Sequence, residues 1–500
     1  MTKHVAFFSS ASLAALLATG ALDTSSALGD GAVAPPVLRL DSPLGGVLPM
    51  EQAISAVHPL TAAHRALAGS RLPPSSVLPN VQASVIGTNQ AQQSAIVVNP
   101  YHPALLMSAS QDFNCSTYVG LYFSADGGAT WTGSCLPLAP GASSGYGEPA
   151  LGWALNATTP VAFAAGLQYF PSGNYEVVVA RSRNRGSTWS IPVVAAGAAA
   201  GSYMDRPWLE VDENAASPFR GHLYVSATRF NTSTTVSQIS VSHSSDGGQT
   251  WSEVNVDGLR NISTDVDVFS NLAIGADGVV YVSWMRCLTG GSTCAGHAAT
   301  MYVSKSLNGG KTWSHPRRIH SVQLAPASCA SFYGCLPNTA VQVGNYPAIA
   351  VDTSGTSTNG RLYVIDYSYI NSHMTVRVTS SGDGGVTWGT PVGIATTNHD
   401  QFFPWISVSA GGVIGASWLD RRKDPSNHNY DAFAAVSTDG GATFGTNARL
   451  STVSSDPGSA SRMGEYTGNA WTNGPTQKLM AAWTDSRTGV QQDEVGGLIP

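Results

Sequence analysis

The chain has 500 residues, of which 11% are charged and 43% hydrophobic, and it contains 53 Gly and 28 Pro. This composition is typical of many short strands joined by turns rather than of helices. A formal net charge of −6, with no basic run, argues against nucleic acid or an anionic membrane surface as a partner.

The N-terminal segment has the layout of a secretory signal peptide. Lys3 and His4 precede an apolar stretch over residues 5–17, and small residues follow. We expect residues 1–28 to be removed on export, so that the mature protein is secreted or periplasmic and carries no membrane anchor. Residues 29–80 are rich in Pro, Ala, Leu and Ser without strand-like alternation and are predicted to be a linker or propiece. Residues 81–500 are predicted to form one domain.

The six cysteines fall as three pairs of near neighbours. An exported protein folds in an oxidising compartment, where close spacing makes short-loop disulfides the easiest to close. Free buried thiols are the alternative. The spacing predicts the bridges Cys115–Cys135, Cys287–Cys294 and Cys329–Cys335.

One octapeptide recurs six times after residue 120. Its copies are SADGGATW at 124, SRNRGSTW at 182, SSDGGQTW at 244, SLNGGKTW at 306, SGDGGVTW at 381 and STDGGATF at 437. Regular recurrence along the chain indicates that one supersecondary unit is repeated. A unit of this kind buries its faces only against neighbouring copies. Asp or Asn, glycines and Thr suit a tight turn whose side chains bond to its own backbone. We therefore interpret the octapeptide as scaffolding.

Each repeat carries three alternating apolar runs before a short fourth one, and the octapeptide follows the third run. Period-two alternation separated by turns predicts a four-stranded antiparallel meander, and such sheets repeated around an axis form a β-propeller. The last repeat lacks a fourth strand, which the stretch Val81–Thr88 could supply from the N-terminal end. We therefore predict an all-β propeller of seven blades, with six blades and a C-terminal hairpin as the alternative.

The octapeptides resemble the Asp-box (BNR) repeats of the sialidase and neuraminidase superfamily of β-propellers. This resemblance covers roughly residues 90–500 and implies a secreted exo-glycoside hydrolase acting on sugar residues of glycans, in sialidases acidic ones. It also implies an arginine triad for the substrate carboxylate, a Tyr nucleophile assisted by Glu, and an Asp acid/base. The nearest counterpart of the first arginine motif is Asp205-Arg206-Pro207, after the second octapeptide.

A meander places the starts of first strands and the ends of second strands at the end of the propeller opposite the octapeptides. Charged and tyrosine residues gather at these positions. We predict Tyr466 as the nucleophile, with Glu465 or Glu148 as its partner, although alternation in a strand would turn neighbours 465 and 466 to opposite faces. The predicted acid/base is Asp205 or Asp267. Residues predicted to bind substrate are Arg206, Arg286, Arg422, Arg487 and Tyr346.

Structural roles compete with these assignments. The pairs Asp420-Arg421 and Asp485-Arg487 could join neighbouring blades as ion pairs, and Tyr346 and Tyr466 could fill the channel. A non-catalytic propeller that binds glycans or proteins, or a polysaccharide lyase, would suit the same fold. No cofactor motif or metal-ligand spacing is found, so we expect no cofactor and no metal. We also expect the protein to be a monomer and its substrate to be a glycan.

Overall fold

The computed structural model describes residues 76–500 except 157–158, 199–200, 232, 291–292, 330, 396 and 459–461. The predicted signal peptide and residues 29–75 of the predicted linker lie outside the described residues. The described part of the chain is built of strands and their connections, and it contains no helix long and apolar enough to cross a membrane.

Six consecutive segments each form a four-stranded antiparallel meander, named here blades 1 to 6. Blade 1 contains Ala91–Val98, Leu106–Asp112, Val119–Ser124 and Thr132–Cys135. Blade 2 contains Ser144–Asn156, Thr159–Phe170, Asn174–Ser182 and Val193–Ala196. Blade 3 contains Ser202–Val211, Leu223–Asn231, Val236–Ser244, Ser252–Asn255 and the short extra strand Arg260–Asn261.

The second half of the chain repeats the same arrangement. Blade 4 contains Asp265–Ile274, Val280–Leu288, Ala298–Ser306 and Arg317–Gln323. Blade 5 contains Ala348–Val351, Leu362–Ile370, His373–Ser381 and Val392–Gly393. Blade 6 contains Gln401–Val408, Ile414–Asp420, Asp431–Ser437 and Ala448–Arg449. Blade 7 contains Gly468–Trp471, Leu479–Asp485, Gln492–Ile499 and, from the other end of the chain, Ser76–Gln82.

The seven blades close into a ring. The first strand of each blade contacts the first strand of the next, and blade 7 contacts blade 1 in the same way. The apolar faces between blades form one continuous core that includes seven tryptophans with almost no exposed surface. The fold is therefore a seven-bladed β-propeller, and the predicted fold class is confirmed.

The N-terminal strand of blade 7 confirms the predicted ring closure but corrects its position. It runs over Ser76–Gln82 and pairs antiparallel with Gln492–Ile499, so only two residues of the predicted stretch Val81–Thr88 belong to it. Residues 76–80 fall within the predicted linker, since they contain Pro79 and show no strand-like alternation. An outermost strand with both faces largely exposed needs no alternation and tolerates proline.

The octapeptides form the turns between third and fourth strands, stabilised by their own side chains. In the first copy, Thr130 donates from its backbone N to Asp126 Oδ1 (2.9 Å) and from Oγ1 to Oδ2 (2.6 Å). Gly128 N donates to Ser124 Oγ (2.9 Å), and the Trp131 indole donates to Gly128 O (3.1 Å). Glycines at positive φ, 76° for Gly127, complete the turn.

All three predicted disulfides are present: Cys115–Cys135, Cys287–Cys294 and Cys329–Cys335, with Cα–Cα distances of 5.6, 5.6 and 5.8 Å. Cys287–Cys294 and Cys329–Cys335 close short loops, whereas Cys115–Cys135 spans the third strand of blade 1. Bridges of this kind persist in oxidising compartments.

Candidate active site at the propeller mouth

Strand register separates the octapeptides from the starts of the first strands. In blade 3, Val211 at the end of the first strand pairs with Leu223, which pairs with Ser244, the first residue of an octapeptide. Ser202, at the start of the same strand, pairs with Asn231 at the far end of the second strand. We call the end of the ring that carries the first-strand starts the mouth. The octapeptides lie at the opposite end.

One residue of each blade occupies an equivalent position at the mouth. In five blades it lies within a break in the pairing of the first strand, two residues before pairing resumes, and in the other two it lies two residues before the first strand begins. In five blades a β-bulge interrupts the first strand at this position. We call the set the axial ring: Gln93, Glu148, Arg206, Phe269, Tyr346, Phe403 and Tyr466. All seven are buried.

The five bulged positions have backbone angles that non-glycine residues rarely adopt. Their φ values lie between 48° and 65°. Such angles cost on the order of 1–3 kcal/mol each and are found where the surrounding structure enforces them, often at functional sites. A bulge re-aims its side chain, and here it does so at the equivalent place in five blades. Five of the seven positions in this ring therefore adopt strained backbone angles.

Arg206, a member of the axial ring, has a side chain with no exposed surface. Its guanidinium donates from Nη1 to Glu465 Oε2 (2.7 Å) and to the Tyr346 hydroxyl, and from Nε to Asp205 Oδ2 (3.2 Å). Its carbon Cζ lies 4.2 Å from the ring centroid of Phe269, a cation–π distance. Four predicted site residues, Arg206, Glu465, Asp205 and Tyr346, therefore meet in one cluster.

Glu465 is shared by two arginines. Arg462 Nη2 lies 2.9 Å from Glu465 Oε1, while Arg206 binds the other oxygen. The Tyr346 hydroxyl donates to Glu465 Oε2 over 3.2 Å. The first strand of blade 7 begins only at Gly468, so 465 and 466 precede it and alternation does not separate them. The Tyr466 ring packs edge-on against Tyr346, with centroids 6.0 Å apart.

Glu148 is held in a different environment. Its Oε2 accepts a hydrogen bond from the backbone N of Arg206 (2.7 Å), and the residue is completely buried. Burial, followed by the nearby Asp205 carboxylate, raises the pKa of Glu148 well above its usual range. Burial likewise raises the pKa of Tyr346, which keeps its hydroxyl a hydrogen-bond donor. Burial thus favours the protonated form of the Glu148 carboxyl, whereas Asp205 and Glu465 lie in ion pairs with arginines.

The axial channel is closed beneath the ring. Trp208 and Trp405, one layer below in blades 3 and 6, stack across the axis with centroids 5.0 Å apart. Both are fully buried, as is Phe402, so these three aromatic residues serve as core rather than as exposed sugar platforms.

Part of the connection between blades 4 and 5 packs against the axial ring. Its Tyr333 lies over Arg206, with Cζ 5.0 Å from the ring centroid, and packs against Phe269. The Cys329–Cys335 bridge closes this segment, and Arg421 Nη1 donates to Pro337 O (2.6 Å). Tyr333 of this connection therefore covers the Arg206 guanidinium.

Four predicted residues lie outside the cluster. Asp267 accepts two bonds of 2.7 Å from Arg286, within blade 4. Arg422 Nη2 lies 2.5 Å from Asp420 Oδ2, and Arg487 Nη2 lies 2.7 Å from Asp485 Oδ2. These are ion pairs within single blades, while Arg421 pairs with Asp400 (3.6 Å). The three arginines Arg286, Arg422 and Arg487 thus have their own carboxylate partners and do not converge on Arg206.

Sequence reasoning missed several residues of the mouth. Arg462 lies outside any strand predicted from the sequence. Its position three residues before Glu465 is the one sequence feature that links it to the site. Tyr146, two residues before Glu148, packs at a tilt against Tyr175 (4.3 Å between centroids), and Tyr175 packs in the same way against Tyr169 (5.2 Å). We call these three the tyrosine patch. In the described part of the chain, no group of three or more His, Cys, Asp or Glu is arranged to hold a metal ion.

The protein is thus a seven-bladed β-propeller with a buried, charged cluster at its mouth. No protein family matches the sequence, and no curated protein matches it. Solved structures similar in fold include a Hadza microbial sialidase, Hz136 (14% identity, 78% of this chain and 73% of that chain, TM-score 0.43). They also include a PL25 ulvan lyase (11%, 84% and 93%, TM-score 0.49) and the α-L-arabinofuranosidase arb93a of Fusarium graminearum (12%, 70% and 92%, TM-score 0.41).

Proposed function

We propose that this protein is a secreted glycoside hydrolase whose reaction takes place at the axial ring. The observation that carries this proposal is the pair of buried glutamates beside Arg206: Glu148 accepts a hydrogen bond from the backbone N of Arg206, whereas Glu465 is ion-paired with two guanidinium groups. Glycoside cleavage needs one protonated acid and one carboxylate, and separate environments are how proteins obtain both at one pH. The three disulfides support an extracellular location.

In this proposal Glu148 is the general acid. Its protonated carboxyl gives a proton to the oxygen of the leaving group, and its Oε1 makes no hydrogen bond with any described residue. Glu465 acts as the carboxylate that either attacks the anomeric carbon or activates a water molecule. Arg206, Arg462 and the Tyr346 hydroxyl position it. Tyr466 and Asp205, predicted from sequence as nucleophile and acid/base, become residues that pack and hold this pair.

A narrower form of the proposal is the sialidase-like activity implied by the Asp-box resemblance. It would require Arg206, with Arg286, Arg422 and Arg487, to bind a substrate carboxylate. The ion pairs that these arginines make with carboxylates of the protein give this form less support than the general one.

A non-catalytic glycan-binding propeller is the second candidate. The complete burial of Arg206 and Glu465 favours it, because a buried ion pair can also serve only to fix the geometry of a core. The two candidates differ in whether products form.

A panel of fluorogenic aryl glycosides tests the proposal. Wild-type protein should cleave at least one member, and Glu148→Gln and Glu465→Gln should lower kcat by about 10²–10⁴-fold. Glu253→Gln, in the outer strand of blade 3 and paired with Arg229, is the matched control and should keep wild-type rates.

The leaving group separates the two roles. An activated phenol needs little protonation, so Glu148→Gln should recover much of its rate with such a substrate, whereas Glu465→Gln should not. Binding of glycans without any product would instead establish the non-catalytic candidate, and wild-type rates in both variants would refute the assigned roles.

A further inference from the structure

The charged groups at the mouth indicate which class of glycan could bind there, if the proposed function holds. We infer that the sugar residue entering the axial ring is uncharged. Three features of the mouth support this: the pairing of its arginines, the buried polar groups of the ring that lack partners, and the tyrosine patch beside them.

An acidic sugar needs a guanidinium group free to receive its carboxylate. Each arginine at the second-strand ends that sequence reasoning assigned to this task already binds a carboxylate of the protein at 2.5–2.7 Å. Arg206 binds Glu465 and Asp205, and Arg462 binds Glu465. A substrate carboxylate would have to displace these partners and would lie beside them as a like charge, which is strongly unfavourable in a buried site.

The axial ring instead offers uncommitted polar atoms that suit hydroxyl groups. Both side-chain atoms of Gln93, the Oε1 of Glu148 and the Nη2 of Arg206 are buried without a hydrogen-bond partner among the described residues. These residues occupy the same ring position in the adjacent blades 1, 2 and 3. An amide, a protonated carboxyl and a guanidinium N–H together supply both donors and acceptors, as neighbouring sugar hydroxyls require. Buried polar groups of this kind are costly unless something pairs with them.

The tyrosine patch extends this polar site with an apolar surface. Tyr146 is buried next to the ring, whereas Tyr169 and Tyr175 keep part of their surface exposed at the mouth. Aromatic faces bind the C–H face of a sugar without needing charge. A neutral glycan would therefore place its reacting residue in the ring and a neighbouring residue on the patch.

Matched pairs of substrates test this inference. Aryl hexosides and the corresponding hexuronides differ only in CH₂OH against carboxylate at C6, and an aryl sialoside is added. We expect each cleaved neutral member to have a kcat/KM at least about tenfold above that of its acidic partner, with a KM independent of salt, since screening acts on charged partners. Faster cleavage of the uronide or the sialoside would overturn the inference while leaving the proposed hydrolase intact.

A binding experiment covers the case in which no member is cleaved. Failure of the whole panel refutes the proposed hydrolase, and an array of neutral and acidic glycans then decides the inference. Saturable binding of neutral glycans supports it. Binding of acidic glycans alone, or of no glycan, overturns it.

Two variants locate the site. Gln93→Ala should raise KM for the neutral substrate, or Kd on the array, about tenfold or more, because the sugar hydroxyls lose their hydrogen bonds to the Gln93 amide. Tyr175→Ala should weaken an oligosaccharide but not an aryl monoglycoside. Gln249→Ala, an exposed glutamine of the third octapeptide at the opposite end, is the control and should change neither. Unchanged binding in Gln93→Ala, with unfolding temperatures matching those of the control, would contradict the assignment.

Discussion

At the scale of single residues, the mouth depends on side chains whose protonation is set by burial. Glu148 is completely buried, and its pKa lies well above the usual range because desolvation and Asp205 both oppose its charge. A carboxyl that binds its proton more tightly when folded makes the folded state less favourable as pH rises above the pKa of the unfolded chain, about 4.3 for Glu. The same property that suits it to proton donation therefore costs stability at neutral pH.

The variant Glu148→Gln removes this cost. The unfolding temperature of the wild type should fall relative to that of Glu148→Gln as pH rises from about 5 to about 8, because only the wild type carries the titrating group. Calorimetric scans of both proteins over this range measure the difference. Other buried carboxyls, such as Asp493 with a pKa near 8, contribute equally to both proteins and cancel. A difference that does not change with pH would contradict the protonated state assigned to Glu148.

At the scale of elements, the octapeptide turn derives its stability from one acceptor side chain. In the third copy, the Asp246 carboxylate accepts bonds from Thr250 N (3.0 Å), Thr250 Oγ1 (2.6 Å) and Ser244 Oγ (2.8 Å). Desolvation is the largest single influence and raises the pKa of Asp246, but these bonds together outweigh it and lower the pKa to about 2. Asn184 and Asn308 make the same bond to the backbone N of Thr188 and Thr312 (2.9 Å each), so the amide also fits this position.

Substitutions at Asp246 should separate the turn's geometry from its charge. Asp246→Ala should cost about 1 kcal/mol of unfolding free energy, as the loss of a capping side chain does, whereas Asp246→Asn should cost less. The lowered pKa means that the carboxylate's contribution is present above about pH 4 and is lost as pH falls towards 2. Urea unfolding at several pH values should therefore show wild type and Asp246→Asn converging in acid. A constant gap between them would contradict this account, and reduced glycan turnover in Asp246→Asn would contradict the scaffolding role.

The sequence patterns predicted the elements better than the site. Six octapeptides at a steady period required a repeated meander, and that meander determined which end of the blades would gather the charged residues. The sequence offered Asp485 and Arg487 as an ion pair, and they form one. It could not decide between a substrate and Asp420 as the partner of Arg422, because that choice depends on side-chain geometry. The positive φ of Arg206 and Glu148 could not be predicted either. Both residues precede a proline, and a residue before proline normally favours extended backbone.

At the scale of the whole molecule, one strand joins the two ends of the described chain. Ser76–Gln82 pairs with the last strand of blade 7, and Asn80 bonds to Leu450 O (2.9 Å), Thr452 N (2.8 Å) and Arg487 Nη2 (3.1 Å). Thr452 follows blade 6, so Asn80 connects two blades. A propeller without this strand would expose the edge of Gln492–Ile499, which can pair with other chains.

Truncation tests the contribution of this closing strand. Protein beginning at Ser76 should unfold in one cooperative transition, whereas protein beginning at Ala83 should unfold at a lower temperature and associate through its open edge. Calorimetry and size-exclusion chromatography measure both effects. Asn80→Ala keeps the backbone pairing and loses only the side-chain bonds, so its unfolding temperature should lie between the two. Equal unfolding temperatures for the two truncations, with both proteins monomeric, would show that the ring holds without the N-terminal strand and that the mouth does not depend on its closure.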